Sequence, residues 1–142
     1  MKKVEHIGIA VKNLAEAEKR FEKLLGTAPY KRETVESEQV TTSFFHAGES
    51  KIELLASTVS GGVIDKFIEK RGEGIHHIAF ATGDIYAEIQ RLKKEGFILI
   101  NDKPKKGADN KLVIFVHPKS TGGILVEYCQ EIPDENEDVA NF

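Results

Sequence analysis

The chain has a single cysteine, no surplus of basic residues and no apolar stretch at its start, and each absence removes a class of function. Cys129 alone can close neither an internal disulfide nor a thiolate metal centre, so a small core residue is its expected role. Twenty Lys and Arg against 23 Asp and Glu leave a net charge of −3. That balance lacks the basic footprint that neutralising phosphates requires, and no nucleic acid partner is expected. The opening Met1-Lys2-Lys3-Val4-Glu5-His6 puts charges and an imidazole where a signal segment or membrane anchor needs apolar side chains. The expectation is no membrane contact and a cytoplasmic location.

What is present fits one compact domain. At 142 residues, 40% apolar and 30% charged, the chain can bury a substantial core but not two separate ones. An internal repeat organises it. His6-Ile7-Gly8-Ile9-Ala10 is echoed by His77-Ile78-Ala79-Phe80-Ala81, and a helix-capping residue, Asn13 or Asp84, follows at the same offset. Asn13 with Glu16 fits a capping box, and Leu14, Ala17, Phe21, Leu24 and Leu25 then recur at helical spacing before Gly26. In the second half Asp84 is the cap, Ile85, Ile89 and Leu92 share a face, and Gly96 is the stop.

Strand-like runs follow each helix: Thr41 to Ala47 and Lys51 to Ala56, then Phe97 to Ile100, Lys111 to His117 and Gly123 to Cys129. The single domain is expected over residues 1–130, with module one at about 1–56, a linker at about 57–74 and module two at about 75–130. Within the linker, Val63, Ile64, Phe67 and Ile68 fit one short amphipathic helix ending near Gly72. Residues 131–142 are acidic and aperiodic, as in a solvated tail.

Four residues sit poorly in a core. Period-two alternation puts His6, Gly8 and Ala10 on one strand face, and His77, Ala79 and Ala81 on its counterpart, so small residues leave space around each imidazole. Glu53 and Glu127 each interrupt an apolar strand, where an unpaired carboxylate must find a cation or take up a proton. A solvent-facing edge would also accommodate each glutamate alone, but the order His then Glu recurs at separations of 47 and 50 positions. If the modules pair about a two-fold axis, two imidazoles and two carboxylates meet in one cleft, a donor set suited to Zn, Ni, Co, Mn or Fe as the divalent ion.

These residues resemble the vicinal oxygen chelate (glyoxalase/bleomycin resistance/dioxygenase) superfamily, over nearly the whole chain to about Gln130. Within it the sequence resembles the methylmalonyl-CoA epimerases. The stretches that carry the likeness are Val4 to Val11, Gly74-Ile75-His76-His77-Ile78-Ala79-Phe80, Lys51 to Leu55, and Ile114 to Lys119 leading into Gly122 to Glu127. The resemblance implies an α+β fold of two tandem βαβββ modules forming a cupped mixed sheet around a metal site. It implies one divalent ion, Co, Zn, Ni or Mn, on His6, Glu53, His77 and Glu127, an acyl-CoA thioester substrate and a homodimer.

The implied reaction is epimerisation at C2 of methylmalonyl-CoA through a stabilised enolate, with Glu127 as the matching catalytic base and Glu53, water on the metal or a residue from elsewhere as the second proton-transfer group. Some relatives carry a further glutamate on the inner strand, but Val40-Thr41-Thr42-Ser43-Phe44 has none. Of His76-His77, alternation allows one imidazole into the cleft; the repeat selects His77, and His76 is expected to face away. His46 and His117 receive no role beyond structure, and Lys103, Lys105, Lys106, Lys111 and Lys119 are the basic residues available to CoA phosphates. The rival readings are a glyoxalase I-type lactoylglutathione lyase, a metal-free small-molecule-binding protein and an iron-dependent ring-cleaving dioxygenase. The complete quartet disfavours the last two.

Overall fold

The computed structural model describes residues 1–133, so the acidic stretch from 134 onward lies outside the described residues. Strand β1 (Lys3–Ala10) runs into helix α1 (Leu14–Leu25). Asn13 caps this helix by accepting the Glu16 N–H at 3.0 Å. Gly26, at φ 73°, ends it in the left-handed conformation that lets its N–H reach Glu22 O. Three strands follow, β2 (Lys31–Val35), β3 (Val40–Ala47) and β4 (Ser50–Ser57). The linker forms α2 (Val63–Arg71), which stops at Gly72. The second module repeats the order with β5 (Gly74–Ala81), α3 (Ile85–Lys94), β6 (Lys105–Lys106), β7 (Lys111–Val116) and β8 (Val126–Glu131). Asp84 caps α3 by accepting the Ala87 N–H at 3.0 Å.

All eight strands form one curled sheet in the order β2-β3-β4-β1-β5-β8-β7-β6. Each module pairs its first strand in parallel with its last, and β1 and β5 join the modules antiparallel. This is the expected α+β arrangement of two βαβββ units. Alternation then sorts the side chains. Ile52, Leu54 and Ala56 turn outward under α1, packing with Ala17 and Phe21, while Val126 and Tyr128 turn outward under α3 with Ile85, Ile89 and Leu92. Glu53 and Glu127, one position out of phase with these anchors, face the concave side. Cys129 is buried there beside Ala79 and Val113, the small core residue expected.

Two strand expectations fail. Phe97 to Ile100 is not a strand: Leu99 makes one bridge to Val116, and the run ends at Asn101. There the side-chain amide takes the ladder positions, accepting the Phe115 N–H at 2.9 Å and donating to Val113 O at 3.0 Å. The β-pairing resumes only at β6. Gly122 and Gly123, at φ 75° and 101°, keep the next turn out of the sheet, so β8 begins at Val126 and not at Gly123. It also extends to Glu131, one residue into the expected tail. Strand β2 was not anticipated, because an edge strand reading Lys-Arg-Glu-Thr-Val buries no apolar face. No helix among the described residues is long and apolar enough to cross a membrane.

Candidate metal centre

The concave face holds a cavity of about 130 Å³. Val63 and Ile64 of α2 line it with Val40 and Leu55, together with His6, His77, Glu53 and Glu127. Each of these four is 4–6% exposed. The mouth is bounded by residues 105–110 of module two, strapped to module one. Asp109 bridges Lys31 at 2.5 Å and Lys51 at 2.6 Å, and Lys105 bridges Glu38 at 2.6 Å.

His6 and His77 meet at the module junction, their Nε2 atoms 3.0 Å apart. Glu127 reaches both, at 3.5 Å from His77 Nε2 and 3.7 Å from His6 Nε2. Gly8 stands opposite His77 in the β1–β5 pairing, and a Cβ there would lie 2.2 Å from His77 Cε1. The small residue noted in the sequence is thus the space the imidazole fills. Glu53 joins from the other side of His6, with Oε2 3.1 Å from Nδ1. The quartet therefore gathers in one buried cluster, but three members share the Nε2 focus while Glu53 faces the far nitrogen of His6.

Two neighbours escaped the sequence reading, and one irregularity explains both. In the β1–β5 ladder Val4 pairs Phe80 and His6 pairs Ala79, leaving Glu5 as an extra residue. Further along, Gly8 pairs His77 and Ile9 pairs Ile75, leaving His76 extra. A β-bulge lets two consecutive side chains fall on one face. Both extra residues consequently line the cavity, each just before its module's histidine. His76 does not face away as expected: its Nδ1 lies 2.9 Å from His77 Nδ1, and its ring meets the edge of Phe67. Glu5 Oε1 lies 3.7 Å from His6 Nδ1 and 3.0 Å from Lys51 Nζ. The repeat itself carried the signal, since Glu5 and His76 hold equivalent places in it.

Burial and charge set the protonation of the cluster. Burial alone would lower His6, yet Glu127, Glu5 and Glu53 outweigh it and hold the imidazolium up to about 10. Burial, with repulsion from Glu127 and Glu5, pushes Glu53 up to about 7 despite His6. His77 is driven well below its ordinary range by burial and by its two histidine neighbours, and burial takes His76 to about 4.

The residues fit a divalent cation. The donor atoms of His6, His77 and Glu127 lie within 4.8 Å of one another at the Nε2 focus, while His6 Nδ1, on the far side of the ring, has Glu53 and Glu5 near it but no hydrogen bond. Two imidazoles with carboxylates are the set that borderline divalent ions prefer. The remaining candidates are structural: His117 Nδ1 accepts the Lys119 N–H at a turn, and His46 stacks on Tyr30. Of the basic residues, Lys105 and Lys111 line the cavity, and Lys111 is buried beside Glu131.

Residues 5–115 match the family model of the glyoxalase/bleomycin resistance protein/dioxygenase superfamily. The chain is 38% identical to the ethylmalonyl-CoA/methylmalonyl-CoA epimerase of Cereibacter sphaeroides over 90% of its own length and 97% of that protein. It is also 38% identical to the uncharacterized protein YqjC of Bacillus subtilis, over 96% and 97% of the two chains. A Streptomyces coelicolor methylmalonyl-CoA epimerase variant, solved with 2-nitronate-propionyl-CoA, superposes with a TM-score of 0.86 at 28% identity, covering 92% of this chain and 95% of that one. The chain belongs to the glyoxalase/bleomycin resistance protein/dioxygenase superfamily and, within it, resembles the methylmalonyl-CoA epimerases.

Proposed function

We propose that this protein inverts C2 of a 2-substituted malonyl-CoA thioester of the methylmalonyl-CoA type, in a reaction that depends on one divalent ion. The observation that carries the reading is the convergence of two imidazole Nε2 atoms and the Glu127 carboxylate at the base of a largely apolar cavity. The epimerase relatives support it. His6, His77, Glu127 and Glu53 would hold the ion. Its chemistry, when bound, is to polarise the thioester carbonyl and offset the negative charge of the enolate.

The chain's own groups move the proton. Glu127 takes it from C2, and Glu53 returns one to the opposite face. Glu53 suits the second role because its carboxylate stands on the other side of His6 from Glu127, 3.1 Å from His6 Nδ1. Thr42, buried beside Val40 and Leu55, lines the cavity with a hydroxyl, and the stretch Val40 to Phe44 carries no carboxylate, so we assign acid and base work to the two glutamates of the cluster. The apolar wall of Val40, Leu55, Val63 and Ile64 excludes water from the carbanionic carbon. Lys105, at the mouth, is the basic residue best placed for the CoA moiety.

Exchange of the C2 proton of methylmalonyl-CoA in deuterated water tests the proposal. Metal-dependent deuterium uptake that is lost in Glu127→Gln is expected. No uptake by protein with a bound divalent ion would overturn it and turn attention to glutathione hemithioacetals, the glyoxalase I-type alternative.

A further inference from the structure

The geometry points to His76 as a positioning residue that fixes the tautomer of His77, turning its Nε2 lone pair toward the cavity. The inference rests on the proposal that a divalent ion binds at the Nε2 focus. A neutral imidazole has one N–H, and a nitrogen that ligates must be bare, so a ligating His77 Nε2 requires the hydrogen on Nδ1. In this buried site that hydrogen needs an acceptor. His76 Nδ1, 2.9 Å away, is the partner within hydrogen-bond distance among the described residues. Glu127, the nearest carboxylate to His77, approaches Nε2 instead, at 3.5 Å.

The fold builds this pair deliberately into its seam. Without the bulge at His76, strict alternation would send consecutive imidazoles to opposite faces. With it, the His76 ring stands edge-on to His77 at 5.1 Å between centroids and is wedged against Phe67 of α2 at 4.8 Å. Its far side borders an outer groove formed by Arg71, Pro118 and Ile124. When Nδ1 of His76 accepts, the ring's own hydrogen sits on Nε2, and the half-buried ring can present it toward that groove. The arrangement is asymmetric between modules. Glu5, the repeat counterpart of His76, puts a carboxylate 3.7 Å from His6 Nδ1, so one ligand histidine is backed by an anion and the other by a neutral imidazole.

The test uses the full chain with ¹⁵N-labelled histidine. Long-range ¹H–¹⁵N correlations assign the tautomer of His77 in metal-free protein and during titration with Zn(II), while calorimetry gives the Zn(II) dissociation constant. His77 is expected to carry its hydrogen on Nδ1 in both states. His76→Phe keeps an aromatic ring against Phe67 but removes the acceptor. It should mix the tautomers of His77 and weaken Zn(II) binding by roughly 10–100-fold, the usual effect of losing a partner behind a ligating histidine. His76→Gln returns an acceptor oxygen and should restore most of that loss. Co(II)-loaded protein should show a changed ligand-field spectrum in His76→Phe and a near wild-type one in His76→Gln. Hydrogen on Nε2 of His77 in the wild type, or a His76→Phe protein with wild-type tautomer and affinity, would overturn the inference. Failure of the wild type to bind Zn(II) or Co(II) would instead defeat the metal proposal, and the metal-free tautomer still decides the role of His76.

Discussion

Gly8 and Glu5 show how single residues set the centre. Gly8 is not needed for its backbone freedom but for its missing Cβ, because the His77 imidazole occupies that space. Gly8→Ala forces either the ring or the β1–β5 seam to move, an overpacking cost of roughly 1–3 kcal/mol. Calorimetric Zn(II) titration should show affinity reduced by about tenfold or more, since a displaced ligand costs at least as much as a lost outer partner. Unchanged affinity would mean that His77 is not a ligand. Glu5 contributes to acid stability. Burial would raise its carboxyl, but His6 and Lys51 outweigh that and bring it to about 2, below the ordinary 4.5. A carboxylate depressed by folding stabilises above its unfolded value, and the contribution drains away as pH falls from about 4.5 toward 2. Urea unfolding across that window should show a flatter acid limb for Glu5→Gln. The difference from wild type is expected to be on the order of 3 kcal/mol and to vanish below pH 2.

At the scale of elements, the two module helices are set by equivalent caps, Asn13 and Asp84, each accepting an amide hydrogen three residues on at 3.0 Å. Asn13→Ala and Asp84→Ala should each cost about 1 kcal/mol in urea unfolding, and the double variant about the sum, because the caps lie on separate helices. The strap over residues 105–110 is joined to its own module by the short β6–β7 pairing and to module one by charge. Asp109 joins it to Lys31 and Lys51, and its N–H donates to the Glu33 carboxylate at 3.0 Å. Asp109→Ala should speed amide hydrogen exchange in residues 105–110 and in the facing 36–38 turn, and leave α1 and α3 at wild-type rates. Equal exchange in the strap would show that packing alone holds it.

For the molecule as a whole, the centre exists only where the modules meet: His6 and Glu53 come from one, His77 and Glu127 from the other. A ligand bound across that junction is bound to the folded state alone, so it must stabilise the fold. Saturation with a divalent ion at about 100 times its dissociation constant should add roughly 2.7 kcal/mol, seen as a raised Tm that a chelator reverses together with C2 proton exchange. An unshifted Tm on chelation would separate any activity from the metal.

The sequence by itself determined the modular plan and the ligand candidates. Repeats of His-Ile-Gly-Ile-Ala and His-Ile-Ala-Phe-Ala, capped helices and period-two runs are local properties, each enforced by spacing and hydrogen-bond chemistry within a few residues. The helix in the linker was legible for the same reason. Edge strands were not: β2 buries no apolar face and β6 has two residues, so neither leaves a pattern. Nor was the placing of Glu5 and His76, for alternation in one strand predicts them wrongly. Only pairing between β1 and β5 decides it, because a bulge is a mismatch in length between two strands and cannot be read from either one. The tertiary structure likewise decided which nitrogen of His6 each glutamate faces, a choice made by sheet curvature and by the position of neighbouring strands.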